Sequence, residues 1–405
     1  MNAPVPGDAG QEVLARVVRE HAGRLAASLV SLLGDFSAAE DLVQDAVETA
    51  LRRWPAEGVP ERPDAWLFTV ARRRGLDVLR RESNHRAKLA RLTWPGPPAE
   101  PDDRLRLIFT CCHPALSRPA QIALTLRVVC GLSTAQIAAA FVVPETTVAQ
   151  RITRAKRKIG EAGIPYRVPA EEDLPARLGE VLAVIYLLFN EGYLSSTPER
   201  AQARDLVADA EWLARLLAEL MPKEPEVAGL LALIRLHRAR GAARFDTRGR
   251  LVLLADQDRS LWDRTAIKEA SAVLVRAAKA HRRPGPYQVQ AAIVACHAEA
   301  AGFERTDWAQ ILVLYDMLLH LAPSPVTRLH RAVAVRYTQG PQAALTELTG
   351  LDQALERYPL LHATRAELLR DLGRLDEARR ADERALELTA NPAQQALLEE
   401  RLRWG

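Results

Sequence analysis

Cysteine is scarce in this chain. Four thiols, Cys111, Cys112, Cys130 and Cys296, serve 405 residues. Neighbouring Cys111 and Cys112 cannot close a relaxed disulfide with each other. Four thiols spread over so long a chain do not make a disulfide framework. The triplet Cys111, Cys112, His113 lacks zinc-ligand spacing, so the thiols are expected to be reduced and buried. Long apolar runs are also missing. The longest, Val181–Phe189, is far too short for a membrane span. The opening MNAPVPGDAG has neither a basic n-region nor an apolar h-region, so no secretory signal is expected and a cytoplasmic location follows. Sustained alternation of apolar and polar residues is absent, which argues against a sheet. No glycine-rich phosphate loop, Ser/Cys–His motif or zinc signature occurs, so neither catalysis nor a cofactor or metal is implied.

What is present is helical periodicity nearly throughout, rich in Ala, Leu, Arg and Glu. The length implies two or three domains. A first helical block ends near Arg91, before the stretch TWPGPPAEPDD at 93–103, whose four prolines and acidic residues read as a linker. A second block, 104–160, ends at another Pro-rich break, and a third fills the rest. Residues 1–165 hold 23 Lys and Arg against 18 Asp and Glu, and the remainder holds 32 against 33. The basic excess therefore sits in the first 165 residues, where a nucleic-acid partner is most plausible.

Residues 132–159, LSTAQIAAAFVVPETTVAQRITRAKRKI, read as a helix-turn-helix. Ser133 and Gln136 form a capping box, and Pro144 stands where a helix can begin. Val148, Ile152, Ala155 and Ile159 form the buried stripe of the second helix. Thr146, Thr147, Gln150, Arg151, Arg154, Arg157 and Lys158 fall on the rest of its circumference. Hydroxyls and an amide suit base edges, and guanidinium and ammonium groups suit guanine and phosphate.

The N-terminal block carries two further faces. In SAAEDLVQDAVETALRRW, 37–54, Ser37 and Glu40 suggest a capping box. Leu42, Val43, Ala46, Val47, Ala50, Leu51 and Trp54 make an apolar face. Asp41, Gln44, Asp45, Glu48 and Thr49 make the opposite one. An acidic face repels DNA but can dock on protein. In 72–91, Arg72, Arg73, Arg74, Arg80, Arg81, Arg86, Lys88 and Arg91 oppose only Asp77 and Glu82. That is a track for a phosphate backbone.

Together these segments resemble the extracytoplasmic-function sigma factors of bacterial RNA polymerase. AAEDLVQDAVETALRRW resembles the region-two helix that docks on the clamp helices of the polymerase β′ subunit. AWLFTVARRRGLDVLRR resembles the helix engaging the downstream promoter element, with Arg73 standing where many members have Asn. Residues 105–159 resemble region four, which reads the upstream element and rests on the β flap. The stretches FTCCHP, YLLFNEGY (186–193) and GRLVLLADQDRSLWD (249–263) resemble one subgroup whose long C-terminal extension ends in tetratricopeptide-like repeats. DLGR, 371–374, is the nearest match to that subgroup's DGGR turn.

The resemblance implies an all-α protein that binds RNA polymerase core and promoter DNA. It would comprise region two at 1–92, the linker at 93–103, region four at 104–165 and a helical extension at 166–405 with repeat-like hairpins at about 325–400. The implied docking residues are Asp41, Gln44, Asp45 and Glu48. The downstream element falls to Arg72, Arg73, Arg80 and Arg81, and the upstream one to Thr146, Thr147, Gln150, Arg151, Arg154 and Lys158. The loop within 52–66 would trap an unstacked base during melting.

The extension would bind a protein partner or a ligand. Its Gly340 and Gly373 punctuate two helix–turn–helix units, with Ala378, Ala385 and Pro392 in the second. Asp256, Asp258 and Asp263 are candidate hard-cation ligands, but their spacing is not an EF-hand loop. The stretch reads better as a loop whose Asp or Ser caps a helix starting near Arg264. His237, His281, His297, His320, His330 and His362 sit singly in helical patterns and read as packed or solvated. Two other functions remain: a conventional helix-turn-helix regulator with a repeat-type sensor, and a C-terminal enzyme or scaffold with an incidental basic front end. The pairing of acidic helix and basic helix favours the sigma reading, since an operator binder needs only one DNA-reading unit.

Overall fold

The computed structural model describes residues 6–82, 104–141, 143–194, 206–279 and 283–404. Among these are nineteen α-helices and no strand, in keeping with the all-α expectation. A lone antiparallel bridge joins Phe245 and Leu251. The chain forms two compact units, Met1–Glu191 and Gly192–Gly405. No helix of the described residues is long and apolar enough to cross a membrane. The Pro-rich stretch 93–103 and the basic residues Arg86, Lys88 and Arg91 lie outside the described residues.

In the first unit, α1 (Pro6–Leu33), α2 (Phe36–Glu57) and α3 (Pro63–Glu82) pack on one another. The start of α2 corrects the sequence reading. Asp35, not Ser37, is the cap, and its Oδ1 accepts from the N–H groups of Ser37 at 2.7 Å and Ala38 at 3.1 Å. The helix thus begins earlier, and Glu40 is turned into the interior. Next come α4 (Arg104–Cys111), α5 (Arg118–Val128), α6 (Thr134–Phe141) and α7 (Glu145–Glu161).

Helix α1 lies close against the end of α5. A Cβ at Gly23 would stand 2.9 Å from the Val129 carbonyl oxygen, and one at Gly131 2.9 Å from Val18 Cγ1. Gly131 also holds φ of +71°, a conformation that favours glycine. The helix α8 (Leu174–Leu194) begins in this unit. There Arg177 Nη2 donates to the Phe109 carbonyl at 2.7 Å, and Glu180 pairs with Arg118 at 2.9 Å.

Cys111, Cys112 and Cys130 are buried and join no disulfide, as expected, and Cys296 is half-buried. Burial pushes the Cys112 thiol up to about 12, with a hydrogen bond to Thr125 opposing it. This is packing rather than reactivity.

The second unit contains α9 (Leu206–Leu220), α10 (Pro225–Arg238), α11 (Arg264–Ala278), α12 (Pro286–Glu299) and α13 (Trp308–Leu321). After these come α14 (Pro325–Gln339), α15 (Pro341–Thr349), the single turn α16 (Asp352–Leu355), α17 (Pro359–Asp371), α18 (Leu375–Leu388) and α19 (Pro392–Trp404). Two helical hairpins, α14–α15 and α17–α18, turn at Gly340 and Gly373. Leu329, Val335, Leu348, Leu361 and Leu368 fill the core between them. The small residues Ala378 and Ala385 are buried where α18 meets its neighbours, and Pro392 opens α19. Asp371 joins the hairpins through two bonds from Arg336, at 2.6 and 2.8 Å.

Candidate nucleic-acid interface

Helices α6 and α7 build the helix-turn-helix. The capping box at Ser133 is present in both directions. Gln136 N–H donates to Ser133 Oγ at 3.1 Å, and Ser133 N–H to Gln136 Oε1 at 2.9 Å. Thr134 Oγ1 donates to Glu145 Oε1 at 2.8 Å, joining the starts of the two helices. The buried residues of α7 are Val148, Ile152, Ala155 and Ile159, the stripe its periodicity predicts. Thr146, Gln150, Arg154, Arg157 and Lys158 are consequently exposed, and Thr147 and Arg151 half-buried. Arg157 leans on Glu161 at 3.5 Å, an exposed pair of little energetic weight.

Lys156 behaves differently from its neighbours. Its ammonium pairs with Glu40 of α2 and stands 3.9 Å from Asp41. Arg127 of α5 donates through Nε to the other Glu40 oxygen at 2.8 Å and through Nη1 to the Leu132 carbonyl at 3.2 Å. One buried carboxylate, 5% exposed at its side chain, therefore binds cations from two other helices. Sequence reasoning assigned Glu40 to a cap and missed this contact. The available signal was its register: position 40 falls on the same face as Phe36, Val43 and Val47, where a charge requires a partner.

The acidic face of α2 is largely open. Asp41 and Glu48 are 75% and 67% exposed at their side chains, and Gln44 is half-buried. Asp45 is exposed yet paired with Arg74 of α3 at 2.7 Å. Arg74 also donates to Thr49 Oγ1 at 3.0 Å. Thr49 is buried, contrary to its assignment to the outer face, because it completes this tie between α2 and α3. On α3, Arg73 is exposed and Arg72 half-buried. Arg80 and Arg81 lie on the last turn of α3, and their side chains fall outside the described residues. The loop expected within 52–66 is shorter than anticipated. Helix α2 runs through Pro55 to Glu57, leaving 58–62 between the helices. Trp54 and Trp66 pack edge-to-face at 5.6 Å beneath it.

In the second unit, the aspartates of 249–263 act as caps. Asp258 accepts from Ser260 N–H at 2.8 Å, and Asp263 accepts from Ala266 N–H at 2.9 Å at the head of α11. Asp256 is exposed. Among the described residues no cluster of His, Cys, Asp or Glu has the arrangement of a metal site.

Comparison with known proteins agrees with this geometry. Residues 17–85 match the family model Sigma-70 region 2, and 106–159 match Sigma-70, region 4. Residues 177–278 match a family of unknown function, DUF6596. An uncharacterized protein of Rhizobium meliloti (strain 1021) is 44% identical over 392 residues, 92% of this chain and 90% of its own. The ECF RNA polymerase sigma factor SigL of Mycobacterium tuberculosis is 34% identical over 169 residues, 39% of this chain and 93% of its own. No solved structure matches. The two sigma regions, matched in order along the chain, do not favour the conventional regulator. The chain belongs to the ECF RNA polymerase sigma factors, with a helical C-terminal extension.

Proposed function

We propose that this sigma factor docks Asp41, Gln44, Asp45 and Glu48 of α2 on the β′ clamp helices of core polymerase. Arg72, Arg73, Arg80 and Arg81 of α3 then hold the downstream promoter element. Thr146, Thr147, Gln150, Arg151, Arg154 and Lys158 of α7 read the upstream element, with region four resting on the β flap. The accompanying division of the chain is region two at 1–92, a linker at 93–103, region four at 104–165 and an extension from 166. The observation that carries this reading is the face of α7 opposite its buried stripe. Hydroxyl and amide groups stand at its N-terminal end and cations further along, the order a helix entering the major groove requires.

The test of docking is charge reversal at Asp41 and Glu48, in an Asp41→Arg, Glu48→Arg double variant. Asp45 is left alone because it also holds Arg74. Core binding, measured by co-elution or fluorescence anisotropy, should weaken about tenfold or more with the helical circular dichroism unchanged. Undiminished core affinity would remove the assignment of this face.

The nearly neutral extension is not a third grip on DNA. Its stacked hairpins suit a protein or ligand partner, and its role in this proposal is to fix the active arrangement of the sigma regions. Run-off transcription should therefore fall in a fragment ending at Leu194, a cut that keeps α8 and its bonds to Phe109 and Arg118. Full activity of that fragment would refute the requirement.

A further inference from the structure

The second unit contains a group of cations that form no ion pair among the described residues. Three guanidinium carbons surround a single indole: Arg259 at 4.4 Å, Arg240 at 5.8 Å and Arg264 at 5.9 Å from the Trp262 ring centroid. Arg244 lies nearby, stacked on Tyr193 at 3.6 Å. His237 Nδ1 is 3.2 Å from Arg240 Nη2, and the His297 carbonyl accepts from Arg259 Nη1 at 2.8 Å. Among the described residues, no ion pair engages Arg240, Arg244, Arg259 or Arg264. Trp262 is 3% exposed and Arg240 9%, and the indole belongs to a core with Leu236, Ala239, Ile267 and Ala295. A charge held this deep needs a partner of opposite sign.

Some donors in the cluster are used. Arg259 Nη1 also bonds the Ala300 carbonyl at 2.7 Å, and Arg264 Nη1 the Ala298 carbonyl at 3.4 Å, both near the end of α12. Others are not. Arg240 Nε, Arg259 Nη2, Trp262 Nε1 and His297 Nδ1 are buried and have no hydrogen-bond partner. The electrostatics agree. Burial, then Arg240 and Arg259, drive His297 down to about 4, and Arg259 is lowered by burial and by Arg264 and Arg240. The chain supplies cation and donor in excess, with only the exposed Glu304 acting the other way on Arg259.

We infer that the C-terminal unit binds a small oxyanion, a phosphoryl or carboxylate group, between Arg240, Arg259 and Arg264 beside Trp262. The planar guanidinium fork matches such oxygens, and stacking on an indole fixes its orientation. The burial of Arg240 and Trp262 favours a small molecule over a protein surface. The stretch 249–263, which stands out in the sequence as GRLVLLADQDRSLWD, provides Arg259 and Trp262. Its two capping aspartates hold that stretch at both sides of the indole. The site belongs to the second unit and does not depend on the assignment of the promoter-reading helices.

The test is calorimetric titration of the full chain with inorganic phosphate, pyrophosphate and citrate, each against sodium chloride at matched ionic strength. At least one probe should bind saturably with a dissociation constant below about 1 mM. A response to phosphate and pyrophosphate alone would assign a phosphoryl ligand, and one to citrate alone a carboxylate. Arg240→Gln and, separately, the more exposed Arg264→Gln should each weaken binding about tenfold. Arg264→Gln keeps the test valid if the buried substitution prevents folding. Absence of saturable binding by all three probes overturns the inference. Binding that both variants leave unchanged overturns it too, because the anion would then sit elsewhere.

Discussion

Replacing Glu40 with Gln should loosen the contact between α2 and α7. The carboxylate is 5% exposed, and its partners Arg127 and Lys156 are 17% and 13% exposed. Removing one member of a buried pair costs about 3–5 kcal/mol, because the remaining charges stay desolvated. The Gln amide can still accept from Arg127. Lys156 keeps only Asp41 at 3.9 Å, and that side chain is 75% exposed. Those remaining interactions place the loss near the lower end, at about 3 kcal/mol, roughly a hundredfold in the local opening equilibrium.

The protein has two units, so a global unfolding midpoint would mix events. Hydrogen exchange resolved by segment is the better assay. Amides of α5 and α7 should lose protection in Glu40→Gln, and those of α14–α18 should not. Pairing with Lys156→Met gives a double-mutant cycle. A coupling energy below about 0.5 kcal/mol, or unchanged protection of α7, would show that the buried pair is not holding these helices.

Three further outcomes follow from other positions. Arg154→Ala should cost about 1–3 kcal/mol of affinity for the cognate promoter in a binding titration and leave protection of α7 unchanged, because the side chain is exposed. Equal losses on every DNA sequence would instead mark a phosphate contact. Gly131→Ala should destabilise the first unit by about 2 kcal/mol, read by urea-dependent exchange. The new methyl meets Val18 Cγ1 at 2.9 Å and the backbone holds φ of +71°.

The last of the three concerns Glu226. Burial raises its carboxyl to about 7, opposed by bonds from the Tyr287 and Gln288 N–H groups. The unfolded carboxyl titrates lower, so the folded state holds the extra proton between about 4.5 and 7. Stability of the second unit should then fall as pH rises through that window, by up to roughly 3 kcal/mol. Glu226→Gln should abolish the slope, and a slope that persists in the variant would place its origin in another group.

How much of this was legible in the sequence depended on whether the cause was local. The helix-turn-helix was read almost residue by residue, since capping at Ser133 and the stripe from Val148 to Ile159 follow from spacing along one helix. The cap at the head of α11, supplied by Asp263, was read for the same reason. Errors arose where a longer-range contact decided the outcome. Ser37 and Glu40 have the spacing of a capping box, but Asp35 takes the cap, and Arg127 and Lys156 claim Glu40 from 87 and 116 residues away. Thr49 looked solvent-facing until Arg74 folded over it.

The histidines of the extension show the same limit more sharply. His237 and His297 sit alone in their helical patterns, with nothing nearby in sequence to distinguish them from packed core histidines. Arg240 follows His237 by three residues, but only the fold brings His297, Arg259 and Trp262 to the same place. Three of the cluster have an unremarkable local explanation: Arg259 and Arg264 bind carbonyls near the end of α12, and Trp262 fills a core. Helix ends favour cations, but one or two suffice for that purpose. Neither role accounts for Arg240, whose Nε is buried without an acceptor. The excess over what capping and packing require is therefore the informative quantity. It can be counted only after folding has assembled residues that are separated by as much as 60 positions in the chain.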